Sequence, residues 1–327
     1  MEEELKSWLE KNTFSYENFG DINQLLYLKE KKGSSVTLSL ATYNNEKTIE
    51  NIIRIVKDEL MDKFSLIDEV VVVDRNSIDE TEMIVERLGV KFFYANQILP
   101  GLPRHFRGKG ESIWKSLAVA KGDIIVWVDT DILNFSPQFV YGLVGPLLLY
   151  DTINFVKGFY RLSSKDENEY YEEEKDPVTD ILVKPFLNLF YPELTGLFQP
   201  ISGECAGRRE ILESIPFFSG YGMELGLLID IYRRWGSETI GQVDLGWRFR
   251  HNKTDSELSR ISFGTLQMIF NRLHDDEKID LRQELFDRYY RLKVKDEGVS
   301  LETDIVREGR RPPMKDIMRM KQGVKIE

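Results

Sequence analysis

The chain has 327 residues, 42% of them apolar and 30% charged, with a formal net charge of −11 at pH 7. That length holds one large domain or two small ones around a sizeable core, and the acidic balance argues against nucleic acid as a partner. A lone cysteine, Cys205, excludes an internal disulfide and fits a reducing cytoplasm.

The first residues, Met1-Glu2-Glu3-Glu4, are acidic where a signal peptide would be basic. Residues 1–34 mix charges with Leu5, Trp8, Leu9, Phe14 and Phe19, and read as a helical segment on the outside of the domain. Residues 35–40 alternate as a first strand, which ends in Ala41-Thr42-Tyr43-Asn44-Asn45-Glu46. A helix follows, with Ile49, Ile52, Ile53, Val56 and Leu60 at helical spacing. Residues 70–73 form a second, buried strand that ends in Asp74-Arg75, and Ser77 or Asp79 can cap the next helix. Residues 90–94 form a third strand. Strand and helix in alternation place the fold in the α/β class with a mainly parallel central sheet flanked by helices. Such sheets bind ligands beyond the carboxyl ends of their strands.

Next comes a basic, glycine-rich loop, residues 99–110, with Gly108-Lys109-Gly110 at the head of a helix over 111–120. It lacks the full P-loop pattern but can reach an anion. Gly122-Asp123 then leads into an unbroken apolar run, residues 124–128, the mark of a strand buried on both faces. The run ends in Asp129-Thr130-Asp131. Alternation puts both carboxylates on one side and Thr130 on the other. Two carboxylates at a strand tip repel unless a cation lies between them and a diphosphate. A polar strand end or a helix cap is the plain alternative.

Residues 139–150 form the longest apolar stretch, too short to span a bilayer. Residues 155–161 read as a strand, the acid-rich stretch 166–174 as a solvated loop, and residues 176–190 as a helix broken near Pro185. Residues 199–207 are a second turn-rich site candidate. Ser219-Gly220-Tyr221-Gly222-Met223-Glu224 opens an apolar helix to about residue 232, with Glu224 placed to meet a ligand. Residues 240–245 form a strand leading to Arg248-Phe249-Arg250-His251-Asn252-Lys253, and residues 255–292 read as helices that pack against a second subunit.

Several of these stretches resemble the glucosyl-3-phosphoglycerate synthases, retaining glycosyltransferases of the GT-A fold, with the mannosyl-3-phosphoglycerate synthases close by. The likeness runs from residue 39 to residue 273. It rests on Thr42-Tyr43-Asn44-Asn45-Glu46, Asp74 to Thr81, Gly108-Lys109-Gly110-Glu111 with Trp114, and Gly122 to Asp131. It rests also on Val156-Lys157-Gly158-Phe159-Tyr160-Arg161, Gln199-Pro200 with Gly203-Glu204, and Gly220 to Asp230.

The resemblance implies a GT-A (nucleotide-diphospho-sugar transferase) fold. Its parts would be an N-terminal helical segment (1–34), a nucleotide-sugar-binding half (35–131), an acceptor-binding half of the same domain (132–254) and a helical C-terminal extension (255–327). It implies transfer of glucose from a nucleoside-diphosphate sugar, UDP-glucose or GDP-glucose, to a small phosphorylated acceptor, with Mn2+ or Mg2+ as cofactor. Ala41, Tyr43, Asn45, Asp74 and Arg75 would hold the nucleotide. Lys109 would meet the diphosphate, Asp129 the ribose or sugar, and Glu224 the sugar and acceptor hydroxyls. Asp131 and His251 would bind the metal. Thr130, Thr179, Ile201 and Asn252 complete the implied substrate surface. The implied partners are small molecules and a second copy of the chain, with no nucleic acid and no membrane insertion.

Two departures stand out. The family's Gly-Arg-Val-Thr turn, which grips the acceptor's phosphate and carboxylate, aligns with Asp176-Pro177-Val178-Thr179, so proline stands where arginine is expected. Lys175, Arg161 or Lys253 can compensate. The family's His-Arg-Asn becomes Arg250-His251-Asn252, a histidine shifted by one position. Other acceptors, mannose as the sugar, and a nucleotide-sugar-binding protein without turnover remain open from the residues alone.

Overall fold

Short amphipathic and apolar segments set the architecture from the first residue. The structure, a computed structural model, describes residues 2–102, 106, 108–166, 169–173, 176–250, 253–295 and 298–321. The chain opens with α1 (Glu2–Asn12), β1 (Thr13–Ser15) and α2 (Ile22–Lys32). The two helices are expected; β1 is not, because three residues carry no period-2 signal. It becomes a strand only by pairing with residues 242–244, far down the chain.

Then β2 (Val36–Thr42), α3 (Ile49–Ile55), β3 (Glu69–Asp74), α4 (Thr81–Arg87), β4 (Lys91–Tyr94), α5 (Lys109–Ser116) and β5 (Ile124–Trp127) alternate as predicted. β5, β2, β3 and β4 pair in parallel in that order. Every residue of β3 and β5 is buried, which accounts for the apolar runs 70–73 and 124–127 within them. The next helix, α6 (Gln138–Leu149), is buried on nearly every side. Its continuous hydrophobicity therefore reflects a core position, and no helix among the described residues is long and apolar enough to cross a membrane.

The second half supplies β6 (Phe155–Asp166), β7 (Glu169–Glu173), α7 (Lys184–Phe190), β8 (Cys205–Arg208), α8 (Arg209–Ser214), β9 (Phe217–Phe218), α9 (Met223–Trp235) and β10 (Ile240–Arg250). The main sheet runs β1-β10-β6-β8-β5-β2-β3-β4, with β7 added to β6. β8 runs against its neighbours β5 and β6, so the sheet is mainly parallel with a reversed strand at its middle and the antiparallel β7 at its margin. That reversal brings the residues leading into β8 to the carboxyl ends of β5 and β6. Apolar layers cover both faces of the sheet.

The structure departs from expectation here. The acid-rich stretch is not a loop: β6 continues to Asp166, and Glu169–Glu173 folds back on it as an antiparallel strand. High charge marks solvation, not irregular backbone, and an edge ribbon satisfies both. The helix expected over 176–190 does form, from residue 177 to Phe190, and its irregularity near Pro185 is a wide π-helical turn (Thr179–Val183) that leads directly into α7, whose second residue is Pro185. A proline lacks an N–H, so Pro185 leaves one helical hydrogen bond unmade, and the turn ahead of it is widened.

The C-terminal extension starts as predicted with α10 (Asp255–Asp275), capped by reciprocal hydrogen bonds between Thr254 and Glu257. Residues 288–292, expected to be helical, instead belong to a hairpin, β11 (Arg288–Lys295) and β12 (Gly298–Ile305). β13 (Arg310–Arg311) then pairs with β9, and α11 (Met314–Lys321) ends the described chain.

Candidate active site

The carboxyl ends of β2, β3 and β5 open into one cleft of about 750 Å3. Ala41, Tyr43, Asn45, Arg75, Lys109, Asp129, Thr130, Asp131, Ile201 and Glu224 all line it. Those are ten of the residues singled out from sequence.

Asp129 and Asp131 lie in the turn just beyond the end of β5 and face one guanidinium. Nη2 of Arg248 reaches both, at 3.1 Å from Asp129 Oδ2 and 2.8 Å from Asp131 Oδ1. The Thr130 hydroxyl turns the other way and donates to Ala41 O (3.2 Å) and Asn45 Oδ1 (2.8 Å). Asn45 Oδ1 also accepts from the Tyr43 N–H (3.0 Å) and the Thr42 hydroxyl (3.0 Å). The loop after β2 is thus pinned to the strand that carries the carboxylates.

Lys109 stands at the first position of α5. Its Nζ lies 2.5 Å from Asp129 Oδ1 and 2.9 Å from Glu224 Oε1. Burial works against the ammonium, but Asp129 and Glu224 outweigh it and hold its pKa well above the usual lysine range. In the same way burial opposes ionisation of Asp129, while Lys109 and Arg248 keep its carboxyl below the ordinary aspartate range. The flanking glycines have a definite task. A Cβ on Gly108, at φ 141°, or on Gly110 would collide with the backbone of Ser219 or Phe218. Only glycine lets the start of α5 lie against the segment that leads into α9 and Glu224.

Arg248 completes the charge arrangement, and sequence reasoning did not assign it a role. Its Nη1 donates to both carboxylate oxygens of Glu204 (2.9 Å each) and to the Tyr160 hydroxyl (2.6 Å). Glu204 is fully buried, and burial raises its pKa against the pull of Arg248. Beside it, a Cβ on Gly203 would run into the Asp129 carboxylate.

Other predicted residues fall differently. Asp74 is buried, and its two oxygens accept from the Ser77 N–H (2.7 Å) and hydroxyl (2.5 Å). Thr179 is buried and donates to Asp176 (2.9 Å). Neither lines the cleft; each hydrogen bond closes a local turn. Arg75 lies over the Tyr43 ring, 4.9 Å from its centroid, as a cationic wall of the cleft. Asp176, Val178, Lys253 and Arg260 line the same cleft. His251, Asn252 and Lys175 lie outside the described residues. Among the described residues no group of three metal-ligating side chains gathers at one point. Asp131, half-exposed at the cleft, is the carboxylate suited to a hard divalent cation that takes its remaining ligands from phosphate and water.

The sequence profile of glycosyl transferase family 2 matches residues 37–215. Glucosyl-3-phosphoglycerate synthase of Petrotoga mobilis is 44% identical over 319 residues, covering 97% of this chain and 98% of that protein. The chain belongs to the glucosyl-3-phosphoglycerate synthase family. Two solved structures extend the comparison. Mannosyl-3-phosphoglycerate synthase from Rubrobacter xylanophilus superposes with a TM-score of 0.86 at 32% identity, covering 96% of this chain and 98% of that one. Glucosyl-3-phosphoglycerate synthase from Mycobacterium tuberculosis, in complex with Mn2+, UDP and glucosyl-3-phosphoglycerate, superposes with a TM-score of 0.78 at 36% identity, covering 91% and 96%. The fold of this glucosyl-3-phosphoglycerate synthase family member is therefore the GT-A-like one expected, and it is a glycosyltransferase.

Proposed function

We propose that the protein transfers glucose from a nucleoside diphosphate to the one free hydroxyl of 3-phosphoglycerate, with Mn2+ or Mg2+ as cofactor. The observation that carries this reading is Lys109 held between Asp129 and Glu224 at the mouth of the sheet. A cation poised there meets the diphosphate on one side and leaves Glu224 facing the sugar and acceptor on the other.

Asp131, with His251, would hold the metal, which when bound offsets the negative charge that grows on the leaving diphosphate. Lys109 adds a fixed positive charge to the same oxygens. Asp129 keeps Lys109 protonated and in place, and Arg248 offsets the repulsion between Asp129 and Asp131. Glu224 orients hydroxyls by accepting their protons in hydrogen bonds. The pinned Ala41–Tyr43–Asn45 loop and Arg75 form the wall for base and ribose. Uridine is the favoured base because the neighbouring synthase was solved with UDP; glucose is favoured over mannose by the name of the relative that spans nearly the whole chain. Lys253 and Arg260 on the acceptor wall supply the positive charge that Pro177 cannot. The decisive assay offers UDP-glucose, GDP-glucose and GDP-mannose against 3-phosphoglycerate, glycerate and neutral polyols with Mn2+, and detects released nucleoside diphosphate. If 3-phosphoglycerate neither accepts sugar nor inhibits transfer to another acceptor, the acceptor assignment fails.

Lys109→Ala weakens UDP binding by roughly 1.5–3 kcal/mol, the scale of a charge-assisted hydrogen bond. Calorimetry returning the same affinity for both proteins rejects the role of Lys109.

The same reading includes a homodimer in the cytoplasm. Tyr290, Leu292 and Val294 on β11 and Val299, Leu301 and Ile305 on β12 share one exposed face of the hairpin; Leu292 pairs with Leu301 and Val294 with Val299. A two-stranded ribbon is marginal by itself, and Val294 keeps 88% of its surface in solvent. A second copy brings the same apolar patch and covers both. The double variant L292K/V294K then sediments at half the mass of the wild type at micromolar concentration. A monomeric wild type, or an unchanged mass in the variant, removes this interface. The lone buried thiol of Cys205 agrees with a reducing compartment.

A further inference from the structure

The C-terminal extension does more than pack on the domain. Behind the hairpin, the short segment 308–311 touches both pieces of chain that carry the Lys109–Glu224 pair. The Glu308 carboxylate accepts three consecutive backbone N–H groups, from Gly220 (3.0 Å), Tyr221 (2.5 Å) and Gly222 (3.3 Å). Met223 and Glu224 follow immediately as the first turn of α9. Side chains are excluded where the clamp closes: a Cβ on Gly220 would strike the Glu308 carboxylate, and one on Gly222 would strike Met268.

One residue further, Gly309 and Ser219 exchange two hydrogen bonds: the Gly309 N–H donates to Ser219 Oγ (3.0 Å), and the Ser219 N–H donates to Gly309 O (2.8 Å). The Ser219 carbonyl accepts from the Glu111 N–H (2.8 Å), inside the first turn of α5. Arg311 closes the circuit with a two-point pair to the buried Glu111 carboxylate, Nε to Oε2 at 2.8 Å and Nη2 to Oε1 at 2.9 Å. Glu308 is itself anchored to α10, where its N–H donates to Gln267 Oε1 (3.0 Å).

We propose that segment 308–311 is a strap that sets the relative position of α5 and α9, and that Glu308 is the positioning residue through which it fixes Glu224 against Lys109. This rests on the role given to that pair in glucosyl transfer. Burial pushes the Glu308 carboxyl up to about 7 against the pull of the three amides, and whether ionised or not its two oxygens tie three successive N–H groups to one side chain, which holds a loop more rigidly than packing alone. A displacement of about 1 Å at a reacting group is enough to cost roughly 100-fold in rate.

The test uses the full-length enzyme with Glu308→Ala and Glu308→Gln. The glutamine keeps the reach and one carbonyl oxygen, so it still serves Tyr221 and Gly222. The expected order of kcat is wild type, then E308Q, then E308A, with E308A at least tenfold below wild type. The KM for UDP-glucose shifts by a smaller factor than kcat, because Ala41, Tyr43, Asn45 and Arg75 stand on other elements, while the turn that Glu308 holds lines the same cleft. A merely structural Glu308 would lower thermal stability and leave kcat per folded enzyme unchanged, and equal kcat in all three proteins overturns the proposal. Should E308A not fold, the comparison of E308Q with wild type decides the same point. Amide hydrogen exchange at residues 220–222 reads the clamp with no turnover at all. It accelerates at least tenfold in the variants if the strap holds that turn, and unaltered exchange overturns the proposal. A wild type that does not transfer glucose to 3-phosphoglycerate defeats the functional reading instead, and leaves the exchange experiment to decide the strap.

Discussion

Replacing Asp131 by alanine removes divalent-metal-dependent glucosyl transfer, with kcat falling by roughly a thousandfold. The chain stays folded. Asp131 keeps 52% of its side chain in solvent, and its pairing with Arg248 is of the exposed kind that contributes about 1 kcal/mol or less. What the variant loses is the one half-exposed carboxylate at the strand tip able to hold a metal against the diphosphate. Steady-state rates across a Mn2+ titration, together with a thermal melt, separate the two effects. Activity close to wild type in a folded Asp131→Ala protein ends the metal-dependent reading.

Arg248→Ala produces the largest loss of stability in the site, about 3–5 kcal/mol at neutral pH. The guanidinium is buried and answers three carboxylates, Glu204, Asp129 and Asp131. Its removal leaves Glu204 in the interior without the guanidinium that offsets its charge, so the carboxyl must either stay ionised at high cost or take up a proton. Burial already raises the Glu204 pKa above its ordinary value of 4.5, and without Arg248 it rises further. The folded variant then binds a proton that the unfolded chain releases. Its stability therefore falls as pH rises through the window above 4.5, and the deficit against wild type shrinks as pH drops toward that value. Urea unfolding at neutral pH and near the acid end of that window measures the difference. A deficit below about 1 kcal/mol at neutral pH means that Arg248 is not the counter-charge of the site.

Much of the cleft was readable because its signals are local. An apolar run closing on Asp129-Thr130-Asp131, a lysine between two glycines, and a carboxylate at the head of α9 each lie within a few residues. Arg248, Glu204 and Tyr160 were missed because their association is purely tertiary: Glu204 arrives by way of the reversed strand β8 and Arg248 past a register shift in β10. The available hint was a glutamate set in the turn-rich and otherwise weakly polar stretch 201–207. The hairpin carried a readable period-2 pattern in Leu292, Val294, Val299 and Leu301. Its dense charges outweighed that pattern and suggested a helix. Glu308 offered no sequence signal, since its partners are backbone amides whose donors every residue except proline possesses.

The strand order also dictates when the protein can become complete on the ribosome. β2 to β5 pair among themselves as soon as residue 127 has emerged, a compact nucleus built from neighbours in sequence. The free edge of β5 then waits for β8, and β1, made first, waits for residues 242–244 before it has any partner. Throughout that interval two aspartates at the tip of β5 stand without the arginine that will answer them. The last strand of the sheet to be synthesised, β10, supplies the partner of β1 and the missing charge together. A half-made chain is thus exposed to wrong pairing for much of its synthesis, and chaperone occupancy on stalled ribosomes should fall only after β10 clears the exit tunnel.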